Sequence, residues 1–128
     1  MYFKENIQNF VLLFEFSSKF DEYSYFVFFQ DDYSLLATAE TLFLDGTFRS
    51  CPDGYEQVFV ISTRISNEDC TKSIAMPLAL CLMRERTKED YKHVFDTIEK
   101  IIGQKMAPEQ VVSDFEMAIL SSVRDHFG

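Results

Sequence analysis

Thr41-Leu42-Phe43-Leu44-Asp45-Gly46-Thr47-Phe48 decides the fold, because it sets a carboxylate inside an otherwise apolar, β-favouring run. A carboxylate in a buried strand is costly unless it is paired, protonated or bound to a cation. Two structures suit the stretch. Asp45-Gly46 can form the two-residue turn of a hairpin. Alternatively the run is one strand and Asp45 has chemical work to do.

The sequence after it is ordered. Cys51-Pro52-Asp53-Gly54 has turn chemistry. Residues 57–65 are rich in β-branched side chains and read as a second strand. Residues 66–73 read as a polar loop. Residues 77–83 read as a third strand, with Pro77 marking its start because proline cannot donate a ladder hydrogen bond. The short connections favour antiparallel neighbours.

Tyr91, Val94, Phe95, Ile98, Ile101 and Ile102 then recur at helical spacing. Thr87 and Asp90 form a capping-box pattern, and Gly103 is a stop. Pro108 precedes a short extended segment, residues 110–113. Asp114 follows, where it suits the N-cap of a last helix with Phe115, Ala118, Ile119, Ser122 and Val123 on its apolar face. The order β-β-β-α-β-α predicts a mixed α+β sheet. The helix is long enough for a crossover, so strands three and four should run parallel in one sheet.

Residues 1–40 are less regular. Residues 10–14 read as a strand or a buried segment, residues 25–29 read as a strand, and Asp31 or Asp32 suits the cap of a short helix over residues 33–40. They are expected to form an N-terminal extension to a domain spanning residues 41–128.

Composition narrows the classes. The 128 residues include 14 Phe, and 47% are hydrophobic, so the chain builds a core. Net charge is −9 with no basic stripe, which argues against this stretch binding nucleic acid by itself. Cys51, Cys70 and Cys81 match no metal spacing and read as reduced thiols of a nuclear or cytoplasmic protein. Lys4 and Glu5 lead into a charged stretch that does not read as a signal peptide, and the apolar runs are too short to span a bilayer.

Asp45 and Asp114 are the candidate chemical pair. Each has a structural reading, as a turn residue and as a helix cap. Together, on two strands joined through a crossover, they suit a divalent-cation site built from carboxylate oxygens.

Three motifs resemble the Mutator-like element (MULE) transposase domain. Leu44-Asp45-Gly46-Thr47-Phe48-Arg49-Ser50-Cys51-Pro52 is similar to the family's first strand. Met76-Pro77-Leu78-Ala79-Leu80-Cys81-Leu82-Met83, followed by Thr87-Lys88-Glu89-Asp90-Tyr91, is similar to its third strand and the start of its helix. Pro108-Glu109-Gln110-Val111-Val112-Ser113-Asp114-Phe115-Glu116-Met117-Ala118 is similar to the segment that bears the second catalytic aspartate. They occur in family order within residues 25–128.

The resemblance implies an RNase H-like fold, with the first three strands antiparallel and the fourth parallel beside the first. It implies that Asp45 and Asp114 are metal ligands, the first two members of an Asp-Asp-Glu triad. The cofactor would be Mg²⁺ or Mn²⁺. The reaction would be cleavage and strand transfer at transposon-end DNA, the partner of the complete parent protein. Arg49, where the family usually has Lys, is a weak candidate for a phosphate contact; a solvated strand-end charge is the alternative.

The sequence departs from the family in lacking, after the last helix, the Cys/His segment and the third acidic residue. It is therefore expected to be a fragment, inactive alone. Glu116 is expected to complement the dipole of the last helix rather than replace that residue. His93 and His126 are expected at the surface. The alternative function is a domesticated, non-catalytic module that binds a protein partner at an exposed sheet edge.

Overall fold

Alternation along two strands builds the centre of the sheet. Gln57, Phe59 and Ile61 turn to one face and Val58 and Val60 to the other, in strand β4 (Gln57–Ser66). Cys81 and Met83 face the first side, and Leu80 and Leu82 the second, in β5 (Ser73–Met83). A computed structural model describes residues 10–17, 24–30, 34–47, 51, 53–66, 73–114 and 116–128.

Around this pair stand β1 (Phe10–Ser17), β2 (Ser24–Gln30), β3 (Thr41–Thr47) and β6 (Gln110–Ser113). The sheet order is β1-β2-β5-β4-β3-β6. Neighbours are antiparallel except β3 and β6, which run parallel. The expected mixed α+β sheet, with three antiparallel strands and a fourth parallel to the first, is therefore present. The two strands read within residues 1–40 join the same sheet, because β2 pairs with β5 from Phe26↔Leu82 to Phe29↔Ala79.

Two expectations need correction. β5 begins at Ser73, four residues before Pro77. Pro77 pairs with Ser62 at a register shift, while Ala79 pairs with Ile61. The shift forms a bulge, one of the few places inside a sheet that tolerates a residue without an N–H. The short helix of the N-terminal part is a single turn, α1 (Leu35–Thr38), with Ser34 at its N-cap and Leu36 fully buried. Asp31 and Asp32, expected to cap it, lie outside the described residues.

The sheet face bearing Phe59 is covered by α2 (Lys88–Ile102) and α3 (Met117–Phe127). Tyr91, Val94, Phe95 and Ile98 of α2 are fully buried there, as their spacing predicted. Phe59 meets Tyr91 edge-on, with centroids 5.1 Å apart, and Phe95 at 6.3 Å. Gly103 ends α2 with φ 79°, and its N–H reaches the Glu99 carbonyl.

The expected capping box at the start of α2 is formed. The Thr87 hydroxyl donates to Asp90 Oδ2 at 2.6 Å and accepts from the Asp90 N–H at 3.2 Å. Asp90 also accepts from the Thr87 N–H at 3.1 Å, and it is only 2% exposed. Thr87→Ala removes the cap and a partner of a buried carboxylate. Urea denaturation is expected to show a loss of about 1–2 kcal/mol.

Candidate functional site

The site is built where β6 docks beside β3. The Glu40 carbonyl, at the entry to β3, accepts from the Glu109 N–H at 2.7 Å and the Gln110 N–H at 3.0 Å. This clamp sets the parallel register Thr41↔Gln110, Leu42↔Val111, Phe43↔Val112 and Leu44↔Ser113. Asp45 comes next on β3, and Asp114 comes directly after the end of β6. The register alone carries them to the same level of the sheet.

Asp45 is not a hairpin tip. It lies within β3, opposite Val60, and Gly46 lies opposite Phe59. Positive φ occurs at Gly54 and Gly103, not at Gly46, whereas a type I′ turn needs it at both central residues. Leu42 and Leu44 point into the helix-covered core, so alternation turns Asp45 to the opposite face, where it is exposed. Partial burial of the carboxyl, then the charge of Asp114, push the Asp45 pKa above its ordinary value; a hydrogen bond from the Gly46 backbone opposes this weakly. The two aspartates therefore sense each other's charge.

Asp114 is exposed and does not cap the last helix, which starts at Met117 with Glu116 at its N-cap. The Glu116 N–H donates to the Asp114 carbonyl at 2.8 Å, so a tight turn joins strand and helix. Nor does the Glu116 carboxylate cap the helix. It accepts from the Tyr91 hydroxyl at 3.3 and 3.4 Å, and it lies 3.8 Å from Arg86, which also reaches Glu56 at 3.4 Å. The expectation that Glu116 sits inside the first turn and serves the helix dipole is thus replaced. Its carboxylate anchors α3 to α2.

Behind that anchor lies a buried pair that the sequence did not reveal. Gln57 Nε2 donates to the Tyr91 hydroxyl at 2.7 Å, and Gln57 has no exposed surface. Burial raises the Tyr91 pKa further above its already alkaline value, so the phenol stays protonated and donates to Glu116. Gln57 fits because residue 46 has no side chain. A Cβ there would lie 2.2 Å from Gln57 Oε1.

Arg49, the candidate phosphate contact, lies outside the described residues, as does Cys70. Cys51 and Cys81 are free thiols, as expected. His93 is half-buried on α2. His126 is not the surface residue expected: its side chain is 12% exposed and lies between Asp96 and Glu99. Among the described residues, Asp96, Glu99 and His126 form the group of three potential metal ligands whose atoms lie within 4.8 Å of one another. The i, i+3 spacing of Asp96 and Glu99 was visible in the sequence; the approach of α3 that brings His126 to them was not. No described helix is long and apolar enough to cross a membrane.

No curated protein and no solved structure matches the chain. Residues 41–128 match the MULE transposase domain, a span that opens at the first residue of β3 and takes in β3–β6, α2 and α3 with both aspartates. The chain belongs to the MULE transposase domain family.

Proposed function

We propose that Asp45 and Asp114 are two ligands of a divalent cation in a DDE-type centre for DNA cleavage and strand transfer, on an RNase H-like sheet. One observation carries this reading: the β3–β6 register brings two aspartates level, where burial and then the charge of Asp114 raise the Asp45 pKa. Their chemistry fits a hard cation. Two carboxylates that repel each other offer oxygen ligands, and Mg²⁺ or Mn²⁺ takes one or two such groups plus water. When bound, the ion would activate a water or a 3′-hydroxyl and stabilise the leaving oxygen. The protein's part is placement. The Glu40 clamp fixes the register, the Gly46 backbone steadies the Asp45 carboxyl, and the Asp114–Glu116 turn fixes the strand end.

The third carboxylate of the triad is not assigned among these residues, since Glu116 is committed to Tyr91 and Arg86. These 128 residues alone are therefore expected to bind the ion weakly and not to cut DNA. With a net charge of −9, the grip on transposon ends falls to basic surface elsewhere in the parent protein, with Arg49 as a minor phosphate contact and the nucleus as the site of action. A second reading, a non-catalytic module that binds a protein partner, is favoured by the outer position of β6, where Val112 is 41% exposed.

Paramagnetic broadening by Mn²⁺ tests the first reading. Amide signals of residues 44–47 and 112–114 are expected to broaden first, and Asp114→Asn is expected to remove the effect. Unchanged broadening in both Asp114→Asn and Asp45→Asn would overturn it.

A further inference from the structure

We infer that His126 and Asp96, steadied by Glu99, form a second cation site, for a borderline transition metal of the Zn²⁺ class, where α3 crosses α2. This site does not depend on the catalytic reading, and its chemistry differs.

The imidazole is held before any ion arrives. Its ring packs against Phe95 at 5.3 Å and Phe127 at 4.8 Å between centroids. His126 Nε2 lies 2.9 Å from Glu99 Oε1, an ordinary hydrogen-bond length. Glu99 is fixed in turn, because its other oxygen accepts from the Met106 N–H at 2.8 Å. An N–H on Nε2 points at Glu99.

The other nitrogen then carries a lone pair, and it faces a carboxylate. His126 Nδ1 lies 3.5 Å from Asp96 Oδ1. Two acceptors that face each other can be bridged by a proton, a donating water or a metal ion. A proton is one candidate, but a charge-assisted N–H···O bond closes to about 2.7–2.9 Å. The gap of 3.5 Å is the separation expected of two ligands on one metal ion, and all three ligand atoms lie within 4.8 Å of one another. With metal–nitrogen and metal–oxygen bonds of about 2.0–2.2 Å, neighbouring ligands of a tetrahedral ion lie about 3.4 Å apart.

The roles follow. His126 Nδ1 and Asp96 Oδ1 are the ligands. Glu99 accepts the remaining imidazole N–H, which fixes the tautomer and makes the ligating nitrogen more basic. Asp96 is 69% exposed, so water has access to the remaining coordination positions. An imidazole nitrogen selects Zn²⁺, Co²⁺, Ni²⁺ or Cu²⁺ over Mg²⁺, whereas Asp45 and Asp114 offer only oxygen. The bound ion would pin the last turn of α3 to α2.

Titration of the 128-residue chain with Co²⁺ and Zn²⁺ tests the site. Co²⁺ is expected to bind one per chain with visible absorption, and Zn²⁺ is expected to raise the melting temperature where equal Mg²⁺ does not. His126→Gln should abolish both effects. Asp96→Asn, an exposed change that leaves the fold intact, should weaken binding at least about tenfold. Asp45→Asn with Asp114→Asn should leave both effects in place, which separates this site from the catalytic pair. Absence of one-to-one binding, or equal binding by wild type and Asp96→Asn, would overturn the inference. So would a pair that responds to pH alone, since the cation between the groups would then be a proton.

Discussion

Asp45→Asn is expected to make the metal-free chain more stable at neutral pH and to lower its affinity for Mn²⁺ by at least about a hundredfold. The stability change has a definite sign. Burial and Asp114 raise the pKa of Asp45 in the folded protein, so the fold favours the protonated carboxyl. The folded state then holds more protons than the unfolded chain at pH values from just below the ordinary 3.8 up through the raised folded value. Stability falls as pH climbs through that window, and the deficit persists at neutral pH, where Asp45 is ionised. Asparagine has no such titration. Subtracting the wild-type pH profile from that of Asp45→Asn isolates this group from the other carboxylates. The gap should be absent at the acid end, open above it and stay open to pH 7. Asp45 is exposed, so water screens the repulsion and the gap is small.

The loss of metal affinity is the larger effect. Groups that merely orient a ligand cost about ten- to a hundredfold when removed, and a ligand itself costs at least the upper end. Mg²⁺ added to the wild type should narrow the stability gap, because it favours the ionised carboxyl and neutralises the repulsion from Asp114 that adds to the effect of burial. A structural carboxylate behaves in the opposite way: its neutralisation would destabilise the fold by weakening the charge-assisted hydrogen bond from Gly46, and it would leave metal binding alone. Chemical denaturation at pH 3, 5 and 7, with and without Mg²⁺, distinguishes the two.

The strands that carry Asp45 and Asp114 to one level of the sheet were legible in the sequence, in part from short-range patterns and in part from the family resemblance. Alternation in β3, the spacing of α2 and the segment after Pro108 fix two strands and the helix between them. The parallel direction of β6 then follows from the length of the crossover, and its place beside β3 follows from the family resemblance alone. What stayed hidden depends on which side chains meet across elements. Pro77 suggested a strand start because the local rule cannot foresee that Leu78 opens a bulge opposite Ile61. Glu116 looked like a helix-dipole residue because its Tyr91 partner lies on another helix. His126 looked like a surface residue because only the approach of α3 to α2 buries it. Gln57 looked like an ordinary polar residue at a strand start, although it is among the most buried side chains of the sheet.

Gly46→Ala is expected to destabilise the fold by about 1–3 kcal/mol, although alanine is normally the safer residue in a strand. The glycine is not there for a turn. Its Cα stands where the Gln57 amide packs, and a methyl group would sit 2.2 Å from Oε1 and 3.3 Å from Cδ. The amide has little room to yield. Its Nε2 is tied to Tyr91 at 2.7 Å and touches Met83 Sδ at 3.4 Å, and its Oε1 has no hydrogen-bond partner among the described residues. Swinging the amide away breaks the bond to Tyr91 and leaves a buried donor unpaired. Alternatively β3 shifts against β4, which moves Asp45 relative to Asp114. A double-mutant cycle separates these responses from a general weakening. Gln57→Ala removes the obstacle, so the Gly46→Ala and Gln57→Ala pair should lose less stability than the two single changes added together, by more than about 0.5 kcal/mol. Strict additivity would mean that the two residues do not share the space. Mn²⁺ affinity measured on the same four proteins shows which element gives way. If the amide moves, affinity holds in all of them; if the strand moves, affinity falls in Gly46→Ala and returns in the pair. The Asp-Gly sequence thus joins two requirements at one point of the strand: an exposed carboxylate on one face, and on the other a gap for the glutamine that holds Tyr91, and through it Glu116 and α3, against the sheet.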